Sequence, residues 1–208
     1  MSNEVKTKEK VDMDPKYIAK LAVTLLVTCV VVAGLLGFVN KLTLPNITAA
    51  NEKKTAEAIQ KVLPELEGSP IAMELTEDMT AAASGAGATV TEAYEAQAGG
   101  STIGYALKIV ASGSQGNIVM MVGVDTEGAV TGVSIVKNSE TSGIGSKVMT
   151  NQPTAKGVGV LDQFEGKTAA DAPLNVGTNV DAISGATVSS KGVTTGVNAA
   201  LAVAGVIG

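Results

Sequence analysis

Residues 21–39 run from Leu21 to Val39 without one charged side chain. At about 1.5 Å per helical residue the stretch is about 28 Å long, close to the roughly 30 Å of a bilayer's hydrocarbon core. It therefore predicts one transmembrane helix. The flanks agree, with Lys16 and Lys20 before it, Lys41 after it, and the amphipathic ring of Tyr17 placed for an interface. A cleaved signal peptide is the competing reading. The run exceeds the usual apolar region of roughly 7–15 residues and lacks a small-x-small exit, which favours a retained helix. Leu26-Val27-Thr28-Cys29 loosely resembles a lipoprotein site. Thr28 is not the small residue such a site needs, and the apolar run continues, so Cys29 reads as lipid-facing or helix-packing. Lys6, Lys8, Lys10, Lys16 and Lys20 precede the span, against Lys41, Lys53 and Lys54 after it. This bias predicts a cytoplasmic N-terminus, with everything after Asn40 outside the cytoplasm.

Beyond the span, the 208-residue chain has enough length for one core with appendages. Its chemistry is narrowed by what is missing. There is no histidine and no arginine, and Cys29 is the single cysteine. Zinc and iron–sulfur ligation, disulfides, and nucleophilic catalysis with an imidazole base are therefore excluded for the chain alone. A net charge of −5 with scattered lysines gives no basic face for nucleic acid. Redox chemistry, if present, must come from a bound organic cofactor.

After Pro45, residues from about Thr48 to Leu63 read as a helix with Ala56, Ile59, Val62 and Leu63 on one face, stopped by Pro64. Ala81 to Ala88 reads as a flexible loop, and Gly99-Gly100 as a second break. Ile103, Tyr105, Leu107 and Ile109 alternate as a half-buried strand does. Ile118 to Val124 and Val130 to Val136 flank the turn sequence Asp125-Thr126-Glu127-Gly128 and predict an antiparallel hairpin. The final segment, Ser189 to about Ala204, reads as a helix with Val193, Val197, Ala200, Leu201 and Ala204 on one face, weakened by Gly192 and Gly196. Asn198 and Lys191 make it too short an apolar run to be a second span. The fold class is α+β: one N-terminal transmembrane helix, then a small domain with a twisted antiparallel sheet and flanking helices. The expected boundaries are a tail at 1–20, the span at 21–39, a helical and linker region at 40–100, and the domain at 101–208.

Asp181-Ala182-Ile183-Ser184-Gly185-Ala186-Thr187-Val188-Ser189-Ser190 lies where a polar loop meets that last helix. A helix start presents unpaired N–H groups and partial positive charge, so it can hold an anion in a chain without arginine. Gly185 and Ala186 allow close backbone approach, and the hydroxyls of Ser184, Thr187, Ser189 and Ser190 offer hydrogen bonds or an attachment point. An ordinary Ser/Thr cap explains the same string equally well.

The string Ser184-Gly185-Ala186-Thr187, with Asp181 before it and Ser189-Ser190 after, resembles the attachment motif of the FMN-binding domain family. That family also has a Glu-Thr-Pro-Gly-Leu-Gly loop upstream, and Glu140-Thr141-Ser142-Gly143-Ile144-Gly145 is similar to it. Ser142 stands where the pattern has proline, and Asn138 where many relatives have histidine. The resemblance covers residues from about Ser101 onward. It implies FMN carried as a phosphoester on Thr187, with Asp181, Ser184, Gly185 and Ala186 as the signature read by a flavin transferase. Val188 and Ser190 flank the attachment. The loop residues Glu140, Thr141, Gly143, Ile144 and Gly145 would lie against the flavin, with aliphatic and backbone N–H contacts, because aromatic residues are scarce. Anchor, length and single domain together resemble the G subunits of Rnf-type ion-translocating electron-transport complexes, which implies membrane partner subunits. These implied properties make the chain a redox subunit with no catalytic residues of its own. The C subunit of the sodium-translocating NADH:quinone reductase is the neighbouring alternative, and a membrane-tethered module without flavin is the alternative of another class. No dinucleotide-binding glycine fingerprint follows a strand, so direct NADH binding is not expected.

Overall fold

The computed structural model describes residues 15–207. The tail lysines Lys6, Lys8 and Lys10 lie outside the described residues. The chain divides into two units, with the boundary after Asn51.

In the first unit every described residue is helical and exposed. It belongs to α1 (Pro15–Val62), the one helix among the described residues long and apolar enough to cross a membrane. The hydroxyls of Thr24 and Thr28 donate to the carbonyls of Lys20 and Thr24, each at 2.8 Å, so two polar groups of this apolar stretch are satisfied within the helix itself. Pro45 does not interrupt α1 as its position in the sequence suggested. Its missing N–H removes a single ladder bond, and the helix continues on either side.

In the second unit, a five-stranded antiparallel sheet runs in chain order: β1 (Ile71–Met73), β2 (Thr89–Ala98), β3 (Ser101–Ser112), β4 (Asn117–Asp125) and β5 (Val130–Lys137). Such a meander needs only short connections. Gly99 and Gly100, with φ of 58° and 80°, make the two-residue turn between β2 and β3, where both positions need positive φ. Between β4 and β5, the Asp125 carboxylate accepts the N–H groups of Glu127 and Ala129. The predicted hairpin is thereby realised, with Val122 opposite Val133.

Among the described residues three α-helices follow α1, α2 (Glu77–Gly85), the short α3 (Ser146–Met149) and α4 (Thr187–Ile207), with two single-turn 3-10 helices, Asp162–Phe164 and Ala169–Asp171, between α3 and α4. α4 packs on one face of the sheet beside α2. The core there joins Val193, Val197 and Leu201 of α4 to Leu107, Ile109, Met120 and Val122 of the sheet, and to Met79 and Ala83 of α2. The buried side of α4 is wider than the predicted stripe and takes in Gly192, Gly196, Ala199 and Val203. α2 corrects the loop expected at 81–88. Thr76 caps it by accepting the Met79 N–H at 3.2 Å, and Glu77 and Asp78 occupy the first turn, where the helix dipole favours acids. These local cues outweighed the small-residue composition, and burial of Met79 and Ala83 holds the helix in place.

The opposite face is covered by the end of α1, where Thr55, Ala58, Ile59 and Val62 are buried with Leu63, Leu66, Ala96, Ala106 and Met121. Ala56, expected on that face, is exposed. Both faces of β4 are therefore covered, which accounts for its continuously apolar sequence. A polar cluster sits on this face as well. Lys108 bonds Glu92 at 2.8 Å and the Thr55 hydroxyl at 3.2 Å, while the Tyr94 hydroxyl donates to the other Glu92 oxygen at 2.6 Å. The sheet thus takes strands from residues 71–98 as well as from 101 onward, and the second unit begins at Glu52.

Candidate functional site

The loop that leads into α4 is anchored at three points before the helix begins. The side-chain amide of Gln163 pairs with both the N–H and the carbonyl of Asp181, at 2.8 and 2.9 Å. Asn198 does the same for Leu174, at 2.8 and 2.9 Å. Ser190 donates to the carbonyl of Ala186 at 3.1 Å and accepts the N–H of Ile183 at 3.4 Å. Between these anchors Ile183 and Ala186 are buried, while Ser184, Gly185, Thr187 and Val188 are exposed. Gly185 adopts a φ of 81°, so the turn that puts Thr187 at the helix start requires a residue tolerant of that region. The first turn of α4 contains no acidic residue, and its leading N–H groups have no carbonyl to reach within the helix. An anion can be held there, next to a threonine hydroxyl.

A cavity of about 170 Å³ opens at this helix start. Gly185, Ala186, Thr187, Val188 and Ser189 line one side, and Glu140, Thr141, Ile144 and Gly145 line the other. The two sequence motifs, far apart in the chain, thus converge on one site. Val188 and Ile144 stand at it as exposed apolar side chains, 56% and 51% accessible. They suit the edge or face of a planar ring, and none of Tyr94, Tyr105 and Phe164 lines the cavity.

Four of the predicted residues lie elsewhere. Ser190 is buried as a brace of the helix start. Asp181 forms an ion pair with Lys156 at 2.9 Å and Ser184 is exposed, both outside the cavity lining. Gly143 also lies outside it, and its N–H is taken by the Ser146 hydroxyl at 2.8 Å, as that of Ile144 is by the Thr141 carbonyl at 3.2 Å. The loop N–H groups expected to face a ligand are thus partly engaged within the loop. One lining residue, Ser114, escaped the sequence reading; it sits in the turn between β3 and β4, and only the Ser-Gly-Ser-Gln-Gly composition of that turn hinted at a special backbone.

Residues 113–202 match the FMN-binding domain family. The chain is 34% identical to the G subunit of the Na(+)-translocating ferredoxin:NAD(+) oxidoreductase complex of Acetobacterium woodii, over 96% of this chain and 97% of that one. The chain belongs to the family of G subunits of ion-translocating oxidoreductase complexes. A second member, the G subunit of the ion-translocating oxidoreductase complex of Methanosarcina acetivorans, is 30% identical over 90% of this chain and 95% of its own. A solved structure of the C subunit of the Na(+)-translocating NADH-quinone reductase from Parabacteroides distasonis aligns with 77% of this chain and 93% of its own, at 18% identity and a TM-score of 0.48. Both family motifs fall inside the matched residues, so the cavity belongs to the domain that defines the family.

Proposed function

We propose that this chain carries FMN esterified through its phosphate to Thr187 and relays electrons as a subunit of a membrane complex that couples redox chemistry to ion translocation. The observation that carries the reading is the meeting of the Glu140–Gly145 loop and the Gly185–Ser189 turn on one cavity, with Thr187 at the start of α4. Membership in the G-subunit family favours this reading over the C subunit of the NADH:quinone reductase.

Each residue has a part that its position supports. The Thr187 oxygen is the nucleophile in maturation. A bare phosphate monoester is a poor partner for a hydroxyl, so the donor must carry FMN as an anhydride, which flavin adenine dinucleotide does. The anhydride P–O bond breaks, the Thr187 O–P bond forms, AMP leaves, and the hydroxyl proton is released. A flavin transferase performs this step and reads the signature around Thr187, including Asp181 and Ser184, both at least partly accessible. In the loaded protein the start of α4 would hold the phosphodiester. Thr141, Ile144, Gly145 and Val188 would bound the ring, which would supply one- and two-electron transfer when bound. The cavity is small and half-open, with the exposed side chains of Val188 and Ile144 at it, which suits a relay open to a neighbouring centre better than a closed substrate pocket. The span at 21–39 anchors the chain, and the lysine bias supports a flavin domain outside the cytoplasm, where a covalent link keeps the cofactor from being lost.

Thr187→Ala tests the assignment. The chain, produced with a flavin transferase and run denatured, should fluoresce under ultraviolet light, and the variant should be dark while remaining folded. The side chain is exposed and, as a first-turn hydroxyl, contributes at most about 1–2 kcal/mol. Fluorescence retained in the denatured variant would place the flavin elsewhere.

A further inference from the structure

Glu140 lies in the cavity wall, but its carboxylate is already occupied by the protein. Oε2 accepts the Ser189 hydroxyl at 2.5 Å, and Oε1 accepts the backbone N–H groups of Ser114 and Gln115 at 2.7 and 3.2 Å. Its own N–H is held by the Asn138 side chain at 3.1 Å. The acid therefore joins three segments distant in the chain: the β3–β4 turn, the loop after β5, and the first turn of α4. Two glycines make room for it. A Cβ on Gly113 or on Gly145 would run into the Glu140 carboxylate, and one on Gly145 would also come within 2.9 Å of the Ser189 hydroxyl. Gly145 has φ −64° and ψ −30°, a conformation open to any residue, so it is the missing side chain that matters there and not backbone freedom.

We infer that Glu140 is a positioning residue for flavin attachment: its carboxylate clamps Ser189 of the first turn of α4 to the β3–β4 turn and so holds the Thr187 hydroxyl at the cavity. The inference rests on Thr187 being the attachment point. Three donors converge on the carboxylate and offset its charge, so it can stand beside an incoming phosphate that a bare carboxylate would repel. Ser189 is 1% exposed and Glu140 reaches it across 49 positions of sequence, so this contact exists only in the folded domain. Thr187, two residues earlier in the same turn, moves with it. Glu140 acts on the reaction through Ser189, and its carboxylate need not touch the flavin.

The test uses the full chain in detergent, a flavin transferase and flavin adenine dinucleotide, and follows covalent flavin on Thr187 by in-gel fluorescence and mass spectrometry. Glu140→Gln keeps one acceptor but puts an NH2 group toward donors, and Ser189→Ala deletes the hydroxyl. Each should lower the turnover of loading about tenfold, the scale of one charge-assisted hydrogen bond, with the KM for the dinucleotide unchanged. The endpoint should still reach one flavin per chain, whereas a merely unfolded fraction would lower the endpoint and spare the rate of the remainder. The double variant should be no slower than either single one, because both remove the same bond. Loading at the wild-type rate in both single variants overturns the clamp. So do independent, multiplying losses, which would mean that Glu140 and Ser189 act separately. Failure of the attachment reading itself registers differently, as flavin that stays covalently bound in Thr187→Ala.

Discussion

Gly192→Ala sets two rules against each other in one helix. In a helix interior alanine is favoured over glycine by about 1 kcal/mol, so propensity alone predicts a more stable protein. The structure predicts the reverse. A Cβ on Gly192 would stand 2.5 Å from the carbonyl oxygen of Ser112 and 3.1 Å from Ile118 Cδ1. The first of these is sheet backbone, tied into the β3–β4 ladder through the Ser112–Asn117 pair, and cannot swing aside. Overpacking of this kind costs about 2–3 kcal/mol. The net destabilisation is then about 1–2 kcal/mol, and for a unit of this size the melting midpoint should fall by about 2–8 °C. Gly196→Ala meets the Sδ and Cε atoms of Met120, each at 2.6 Å, the far end of a flexible side chain that can repack. Its loss should be smaller. Gly205→Ala meets nothing within 4 Å and should stabilise by a few tenths of a kcal/mol up to about 1. Thermal denaturation of the three variants in detergent, followed by circular dichroism, tests the ranking. Should Gly192→Ala melt at or above the midpoint of Gly205→Ala, close approach of α4 to the sheet is not what selects glycine. Because Gly192 lies near the start of α4, its variant should also load flavin more slowly.

Four further outcomes follow from other parts of the molecule. Burial, and then the hydrogen bond to Glu92, push the Tyr94 hydroxyl from 10.0 up to about 12; the protonated form is the one the fold favours, so its contribution is complete below pH 10 and is lost as pH rises toward 12. Wild type should therefore lose more stability over that interval than Tyr94→Phe, measured by urea denaturation at each pH, and parallel curves would deny the cluster that role. Burial raises the Glu92 carboxyl, but the bonds from Lys108 and Tyr94 outweigh it and bring the net value below 4.5, so its contribution holds above that pH and is lost as pH falls below it. Gly143→Val places a β-branched residue at φ 78°, a strain of about 1–3 kcal/mol that should reset the loop carrying Thr141 and Ile144; Thr187 should still become flavinylated, while a redox titration should show a shifted flavin potential, and an unchanged potential would return the loop to an ordinary turn. Protease added to wall-stripped cells should release the flavin-bearing fragment, and cleavage seen only in inverted vesicles would reverse the proposed sidedness.

Much of what depends on neighbours in the chain is legible before folding. The apolar helix through residues 21–39 follows from hydropathy alone, the β4–β5 hairpin from two apolar runs around Asp125-Thr126-Glu127-Gly128, and the last helix from its periodicity. The cap and acidic first turn of α2 are equally local, but they precede an alanine- and glycine-rich stretch whose composition is that of a loop. The motif around Thr187 was visible as a string, but the string did not separate the residues of the cavity from those that brace it. That separation is geometric: Ser190 bonds back to Ala186 beneath the helix start, whereas Ser189 points to Glu140.

Tertiary structure alone decided the contacts between distant segments. Gly192 and Gly196 read as weaknesses of a helix until the sheet beneath them is in place, and only then do they become positions where α4 approaches the sheet closely. Ser114, Glu140 and Ser189 carry no shared pattern, because their spacing in the chain reflects the length of the intervening strands and loops and not any repeat. Periodicity reports which way one element faces; it holds no information on which other element fills that face. For this chain the composition determined that any redox chemistry must come from a bound cofactor, and the packing of α4 on the sheet decided that the Gly185–Ser189 turn and the Glu140–Gly145 loop line one cavity.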